Sequence, residues 1–446
     1  MDEMKTTGII AEYNPFHLGH LYHLEEARKQ TGADYIIAVI SGDFVQRGEP
    51  SIFDKYVRTQ MALLCGADLV LEMPSVFASA GAEDFASCGV ALLSQLGVVD
   101  TLFFGSECGD ITALSQAAAL LCEEPEEFSH TMKKYLKKGL SFPLAREQAL
   151  KNFSPEPLLN LSLPNNILGI EYCKAIQKQN SSLTPITILR QGDYHSSSLE
   201  DNPCPPEKVS SQCYSSASAI RRELLRTRFL PMEPAQTGRG LSESGQISHL
   251  PTSFCTDRLD PHIPACIHPL YTSSLPLSVE DFSTLLNYAI LQYRQKSIPF
   301  SSFEGISDEL AFRLEKYLYS GAGWEERIME LKTRNYTYTR ISRALLHLLL
   351  GITVSMAWSM RQDGYASYAR ILGFRKSASP LLSAIKKQSS IPLVTKTADA
   401  KNYLGPSPWK SFEQDLYASH IYQSVLSGKY RIPAKNEFTQ PLPILP

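Results

Sequence analysis

The chain is expected to be an α/β protein: a Rossmann-like, doubly wound parallel sheet, followed by a mainly α-helical, basic C-terminal domain. Three observations predict this. Short apolar, β-branched runs alternate with helical patterns over roughly the first 225 residues. A turn bearing glycine and two histidines follows the first apolar run, where a doubly wound sheet places its ligand. Finally, the charge is uneven: residues 331–396 hold eleven Lys or Arg against one acid, Asp363, so this stretch carries +10 and the remainder −13.

Length and composition set the frame. With 446 residues, of which 43% are hydrophobic and 20% charged, the chain can bury a sizeable core and divide into domains. The expected division is a nucleotide-binding catalytic domain over 1–226, a linker or inserted loop over 227–277, and a helical domain over 278–446. No uncharged apolar run is long enough for a membrane span, and because Met1-Asp2-Glu3 runs directly into a strand pattern no signal peptide is expected. Nine singly scattered cysteines suit reduced thiols, and a cytoplasmic location is expected.

In chain order, strands are expected at 7–11, 35–40, 68–72, 101–104 and 186–189, with helices between them at 18–29, 55–65, 82–96 and 165–178. Residues 123–153 have the pattern of a helical hairpin bearing a basic stripe, Lys133, Lys134, Lys137 and Lys138. Residues 229–275 are rich in Pro, Ser, Thr and Gly without periodicity. Helical patterns then occupy 279–294, 306–321, 323–332 and 338–352.

The strand Gly8-Ile9-Ile10-Ala11 and turn Glu12-Tyr13-Asn14-Pro15-Phe16 run into a helix start, His17-Leu18-Gly19-His20-Leu21. Residues three apart share a helix face, so His17 and His20 can aim at one point, and Gly19 allows close approach. Free N–H groups and the helix dipole favour an anion there, and imidazoles can stabilise charge growing on a departing pyrophosphate. The bland reading is a pair of surface or zinc-binding histidines. Zinc needs further ligands, and Cys65 and Cys88 lack the spacing, so no metal site is expected.

Other candidates lie at later strand ends. Gly105 ends an apolar strand and leaves room for adenine or ribose; a plain turn glycine is the alternative. Asn165 and Asn166 follow Pro164, so that one can cap the helix while the other reads a base or ribose edge. Arg190 ends the last strand, bringing a guanidinium to the same sheet edge. Ser216, Ser218 and Arg221 gather hydroxyls and a guanidinium at a second helix start, suited to β- or γ-phosphates. Between Ser41 and Pro50, Arg47 suits either a small carboxylate or an RNA phosphate. In the basic segment, Lys332, Arg334, Arg340, Arg343, Arg375 and Lys376 are interleaved with aromatics, as an RNA backbone with unstacked bases requires. A solvated face paired with acids from elsewhere is the competing reading.

The His17-Leu18-Gly19-His20 stretch matches the H-x-G-H signature of nucleotidyltransferases. Together with Ser41–Pro50, Phe103–Glu107, Pro164–Gly169 and Ser216–Arg221, the chain resembles the bacterial tRNA(Met) cytidine acetate ligase family. That resemblance implies an ATP-dependent ligase in which acetate attacks the α-phosphate of ATP to give acetyl-adenylate and pyrophosphate. The acetyl group then passes to N4 of the wobble cytidine, position 34, of elongator tRNA(Met), forming N4-acetylcytidine. It implies His17, His20 and Arg221 as catalytic residues, ATP contacts from residues 8–21, Gly105, Asn165, Asn166, Arg190, Ser216 and Ser218, and Mg²⁺ on the phosphates. No protein partner is inferred. Two other readings share the first domain: a small-molecule adenylyl- or cytidylyltransferase of the pantetheine-phosphate or nicotinamide-nucleotide kind, and a nucleotide-sensing RNA-binding module without catalysis.

Overall fold

Among the described residues ten strands are formed: β1 (Thr6–Ala11), β2 (Tyr35–Ser41), the hairpin strands β3 (Phe44–Val45) and β4 (Glu49–Pro50), β5 (Leu69–Met73), β6 (Thr101–Ser106), β7 (Thr184–Leu189), β8 (Ala369–Arg375), β9 (Leu393–Val394) and β10 (Ile444–Leu445). The computed structural model describes residues 4–140, 142–152, 162–190, 215–228, 258–321, 323–334 and 336–446. The main sheet runs β10-β8-β5-β2-β1-β6-β7, with β9 beside the start of β8. From β5 to β7 all pairings are parallel, as the alternation predicts.

The order reverses at β1, and the two neighbours of this strand are held unequally. It pairs with β2 along six positions, from Thr6 opposite Tyr35 to Ala11 opposite Ile40, but meets β6 only at Thr7–Thr101 and Gly8–Leu102. The carboxyl ends of β1 and β6 are therefore unpaired with each other at the switch point, where a doubly wound sheet places its ligand crevice. Arg58, wholly buried on helix Lys55–Leu64, ties the other side shut by donating to the carbonyls of Glu12 (2.7 Å), Ser41 (3.0 Å), Phe53 (3.1 Å) and Gly42. Gly8 permits the opposite face to pack closely, since a Cβ there would lie 2.6 Å from the Leu93 side chain.

The region expected to form the helical domain shares the sheet and core of the first half. Strand β8, from the region expected to be helical, pairs antiparallel with β5, and one buried cluster runs from Ile10 to Leu426. Helix Pro406–Tyr430 is bound to the first half through Asp415, whose carboxylate accepts from the Ser75 N–H at 2.7 Å, and Tyr422, which donates to Ser51 O at 2.9 Å. The segment expected to be a linker or inserted loop is described in part. Its portion 229–257 lies outside the described residues, but 258–277 packs into the second core through Ile263, Ile267 and Tyr271, and Tyr271 donates to Phe16 O.

Four buried charges join the halves. The Lys55 ammonium lies 2.8 Å from Glu72 and 3.1 Å from Glu437, while the Arg370 guanidinium lies 2.9 Å from Glu72 and also pairs with Glu437. Burial alone would raise the Glu437 carboxyl, but the two cations outweigh it and hold the group at about 2. Removing one partner strands an uncompensated charge in the interior. Lys55→Met or Glu437→Gln is accordingly expected to lower stability by ~3–5 kcal/mol in urea unfolding. Because the folded value of Glu437 is depressed from 4.5, its contribution is full above that pH and is lost as the pH falls toward 2. Unfolding midpoints measured across that window should fall less steeply in Glu437→Gln than in the parent; equal slopes would remove the assignment.

Candidate active site

Helix Leu18–Thr31 begins against the open end of β1, and His17 is its N-cap rather than a residue of its first turn. The Gly19 N–H donates to His17 Nδ1 at 3.0 Å, and the His17 N–H donates to His20 Nδ1 at 3.3 Å, forming a reciprocal cap. The rings stand 3.9 Å apart, backed by Tyr13 and Phe16. The N–H groups of His20 and Leu21 turn to His17 O at 2.9 and 3.1 Å. Thus these backbone donors, expected to face an anion, are engaged internally. Each Nδ1 accepts, which places the proton of a neutral imidazole on Nε2, so donor capacity passes through the rings.

Electrostatics keeps those rings neutral. Burial, then Arg190 and Arg221, push His17 down to about 3; burial, His17 and Arg190 push His20 well below 6.5. His23, in the same three-residue row, is lowered to about 3 by burial and Arg190 and lies 5.3 Å from the Phe103 ring. A crevice that resists a positive imidazole already contains guanidinium charge, an environment that favours an incoming polyanion.

The opposite wall comes from the ends of β6 and β7. Neither asparagine caps its own helix by side chain, contrary to expectation. Glu107 instead gathers the N–H groups of Asn165 (3.1 Å) and Asn166 (2.7 Å), as well as Asn165 Nδ2 (2.7 Å). Asn165 Oδ1 in turn accepts from Arg190 at 2.7 Å, and Asn166 Oδ1 accepts from the Cys108 N–H at 3.0 Å. Gly105 accommodates Arg190, whose Cγ would lie 3.0 Å from an added Cβ. At the second helix start, Ser216 Oγ accepts from the Ala219 N–H at 3.1 Å, while Arg221 donates to Asn14 O at 2.7 Å and Ser218 Oγ at 3.1 Å.

Around this crevice the structure gathers residues 8–21, Gly105, Asn165, Asn166, Arg190, Ser216, Ser218 and Arg221, but it divides the expected RNA residues. Gly48, in the hairpin after β2, lies against Ser342 and Arg343, and Ser342 Oγ donates to its carbonyl at 2.8 Å. Arg340 lies 4.6 Å from the Tyr336 ring, Lys332 is exposed, and Arg334 donates to Gly139 O at 2.6 Å. By contrast, the Arg375 N–H donates to Asp68 O at 2.9 Å, at the amino end of β5, so Arg375 and Lys376 occupy the opposite end of the sheet from the histidines. Arg370 and Arg361 are paired with carboxylates, the competing reading of the basic segment.

Sequence reasoning assigned no role to Glu107, Arg58, His23 or His262. The row His17, His20, His23 was visible as a three-residue repeat. His262 was not, because its turn lies within the expected linker; Ser215 Oγ lies 2.9 Å from His262 Nδ1, and the ring is close enough to His17 to lower it further.

Residues 4–437 match the HIGH Nucleotidyl Transferase family. Curated tRNA(Met) cytidine acetate ligases are similar along the full length: that of Acetivibrio thermocellus is 37% identical, covering 99% of this chain and 100% of its own, and that of a Thermoanaerobacter species is 38% identical, covering 98% and 99%. Crystal structures of Thermotoga maritima TmcAL superpose with TM-scores of 0.82, bound with alpha-thio ATP, and 0.83, without ligand. Their identities are 29% and 30%, each covering 99% of this chain and 100% of the other. Such full-length similarity does not favour a small-molecule nucleotidyltransferase. Among the described residues, no helix is long and apolar enough to cross a membrane.

The cap makes a spectroscopic prediction. In ¹⁵N-histidine spectra at pH 7, His17 and His20 are expected as neutral Nε2–H tautomers, and they should remain neutral at pH 5, where an ordinary imidazole near 6.5 is mostly protonated. The unfolded chain takes up protons that the folded site refuses, so these groups lower stability as the pH falls below 6.5. Titration of either ring near 6.5, or an Nδ1–H tautomer, would overturn the assignment.

Proposed function

Because the chain belongs to the HIGH nucleotidyltransferase family, and within it to the tRNA(Met) cytidine acetate ligases, we propose that it activates acetate with ATP and acetylates N4 of the wobble cytidine of elongator tRNA(Met). The observation carrying the assignment of roles is the paired imidazole cap at the switch point, with Arg190 and Arg221 near His17. In the first step an acetate oxygen bonds to the α-phosphorus while the bond to the bridging oxygen breaks and pyrophosphate leaves. This step needs orientation and stabilisation of leaving-group charge, which two Nε2–H donors and Arg221 can supply without a covalent nucleophile. In the second, the cytidine N4 attacks the acetyl carbonyl, AMP departs, and N4 loses a proton.

Gly105, Asn165, Asn166 and Arg190 form the wall for adenine and ribose, and Ser216 and Ser218 lie at the phosphate end. Among the described residues no group of three or more His, Cys, Asp or Glu could hold a metal. Mg²⁺ would therefore be held chiefly by ATP phosphate oxygens and supply charge neutralisation there. Lys332, Arg334, Arg340 and Arg343 are the RNA-facing cations; Arg375 and Lys376, at the far sheet end, are not assigned to this surface.

His17→Ala and His20→Ala should each reduce acetate-dependent ATP–pyrophosphate exchange by at least ~100-fold, the scale of losing a preorganised charge-stabilising donor. tRNA binding should be nearly unchanged in these variants. Arg340→Glu with Arg343→Glu should do the converse, weakening tRNA binding in a gel-shift while leaving exchange intact. If both sets lost both activities without unfolding, the division of labour would be wrong.

A further inference from the structure

Resting on the RNA-ligase reading, we propose that the lysine-bearing helix Glu126–Lys137 belongs to the RNA-binding surface, forming with Lys332, Arg334, Arg340, Arg343 and Arg47 a cationic track that ends at the phosphate site. The first half of the chain then supplies part of a surface that composition alone assigns to the second.

The helix explains one side of the track. Phe128 is buried, and Met132 packs against the main core, while Lys133, Lys134, Lys137 and Lys138 are exposed. The pairs 133/137 and 134/138 each stand one turn apart, where like charges repel by about 0.2–0.5 kcal/mol per pair. Among the described residues none of these lysines has a carboxylate partner. Lys138 lies 5.5 Å from the Tyr135 ring, next to Gly139. An unneutralised lysine face beside an aromatic suits a phosphate backbone.

The remaining steps are contacts. Arg334 bonds to Gly139 O, bringing the basic connection before helix Tyr338–Leu350 against the end of the lysine helix. Within helix Tyr338–Leu350, Arg340 and Arg343 are electrostatic neighbours, and burial followed by Arg340 lowers Arg343. Arg343 has no carboxylate partner among the described residues. Its backbone N would lie 2.3 Å from a Cβ on Gly48, which sits at φ +79°, so the hairpin lies flush on this helix and presents exposed Arg47. Glu49, two residues on, feels both Arg221 and Arg47, which links the track to the ATP crevice. Glu280, which lies near Tyr338, is partly engaged: it caps helix Trp324–Leu331 by accepting the N–H groups of Trp324 (3.0 Å) and Glu325 (2.8 Å). Contact with RNA along this route decides the alternative left open for Arg47 in favour of a phosphate.

The test uses the full chain and an unmodified elongator tRNA(Met) transcript, with dissociation constants measured from 50 to 300 mM salt. Lys133, Lys134, Lys137 and Lys138 are replaced together by Gln in one variant and by Arg in another, and thermal unfolding verifies that both fold. The Gln variant is expected to bind ~10- to 100-fold more weakly at 100 mM salt, with the slope of log affinity against log salt reduced by about 2–3, and the Arg variant to retain parent-like values. Parent-like affinity and slope in the Gln variant, beside weakened binding by Arg340→Glu with Arg343→Glu, would overturn the track and leave the ligase reading standing. No salt-sensitive binding by the parent would overturn both.

Discussion

Lys55, Glu72, Arg370 and Glu437 fix the relation between the two ends of this chain. These charges come from positions separated by up to 382 residues in sequence, and all four side chains are nearly inaccessible to water. Burying such groups is unfavourable unless each finds its counter-charge and hydrogen bonds, so the arrangement tolerates little displacement. Tyr56 and Ser419 complete it, at 3.1 Å from Glu437 and 2.7 Å from Lys55. Strand β8, which carries Arg370, is therefore part of the nucleotide-binding sheet. An RNA platform on a flexible tether would have to search for the crevice; one built into the same sheet and core is held at a constant position relative to it.

Within that frame, the choice of histidine at the helix start has a specific chemical consequence. A serine cap satisfies a backbone N–H but presents no second donor on a rigid ring, and an aspartate cap brings a negative charge that would repel an anion. Imidazole accepts at Nδ1 and donates at Nε2, so capping the helix and binding an anion are compatible. Burial among Tyr13, Phe16 and neighbouring guanidinium groups disfavours the charged form. Under the proposed function, the phosphates of ATP supply the negative charge that offsets this repulsion.

Local sequence made the parallel half of the fold legible. Strands β1, β2, β5, β6 and β7 carry compact apolar runs with helices between them, and the histidine motif occupies a strand-to-helix turn whose ligand-binding geometry follows from the fold. What was obscured depends on distant pairing. Ala369–Arg375 is a short run inside a basic, mostly helical region, and only its pairing with β5 reveals it as a strand. Likewise, Asn165 and Asn166 were visible as polar residues at a helix start, but the carboxylate that gathers their N–H groups, Glu107, is 58 and 59 residues away. Tyr271 and His262 were hidden by a composition that resembles a linker and is ordered by contact with the motif itself.

The summed charge of a sequence segment also overstates what one ligand can feel. Of the eleven cations between residues 331 and 396, Arg370 is spent within the buried network, Arg361 pairs with Asp84 and Glu304, and Arg375 bonds to Leu63 O at the far end of the sheet. At physiological ionic strength, exposed charges more than about 8 Å apart are largely screened, so a polyanion responds to contiguous cations rather than to a total. Lys332 through Arg343 satisfy contiguity in the second half of the chain, and Arg334 reaches the lysine helix through Gly139. On the proposed reading, the location of unpaired charge after folding, rather than its density along the sequence, therefore sets the path by which an RNA would approach the crevice.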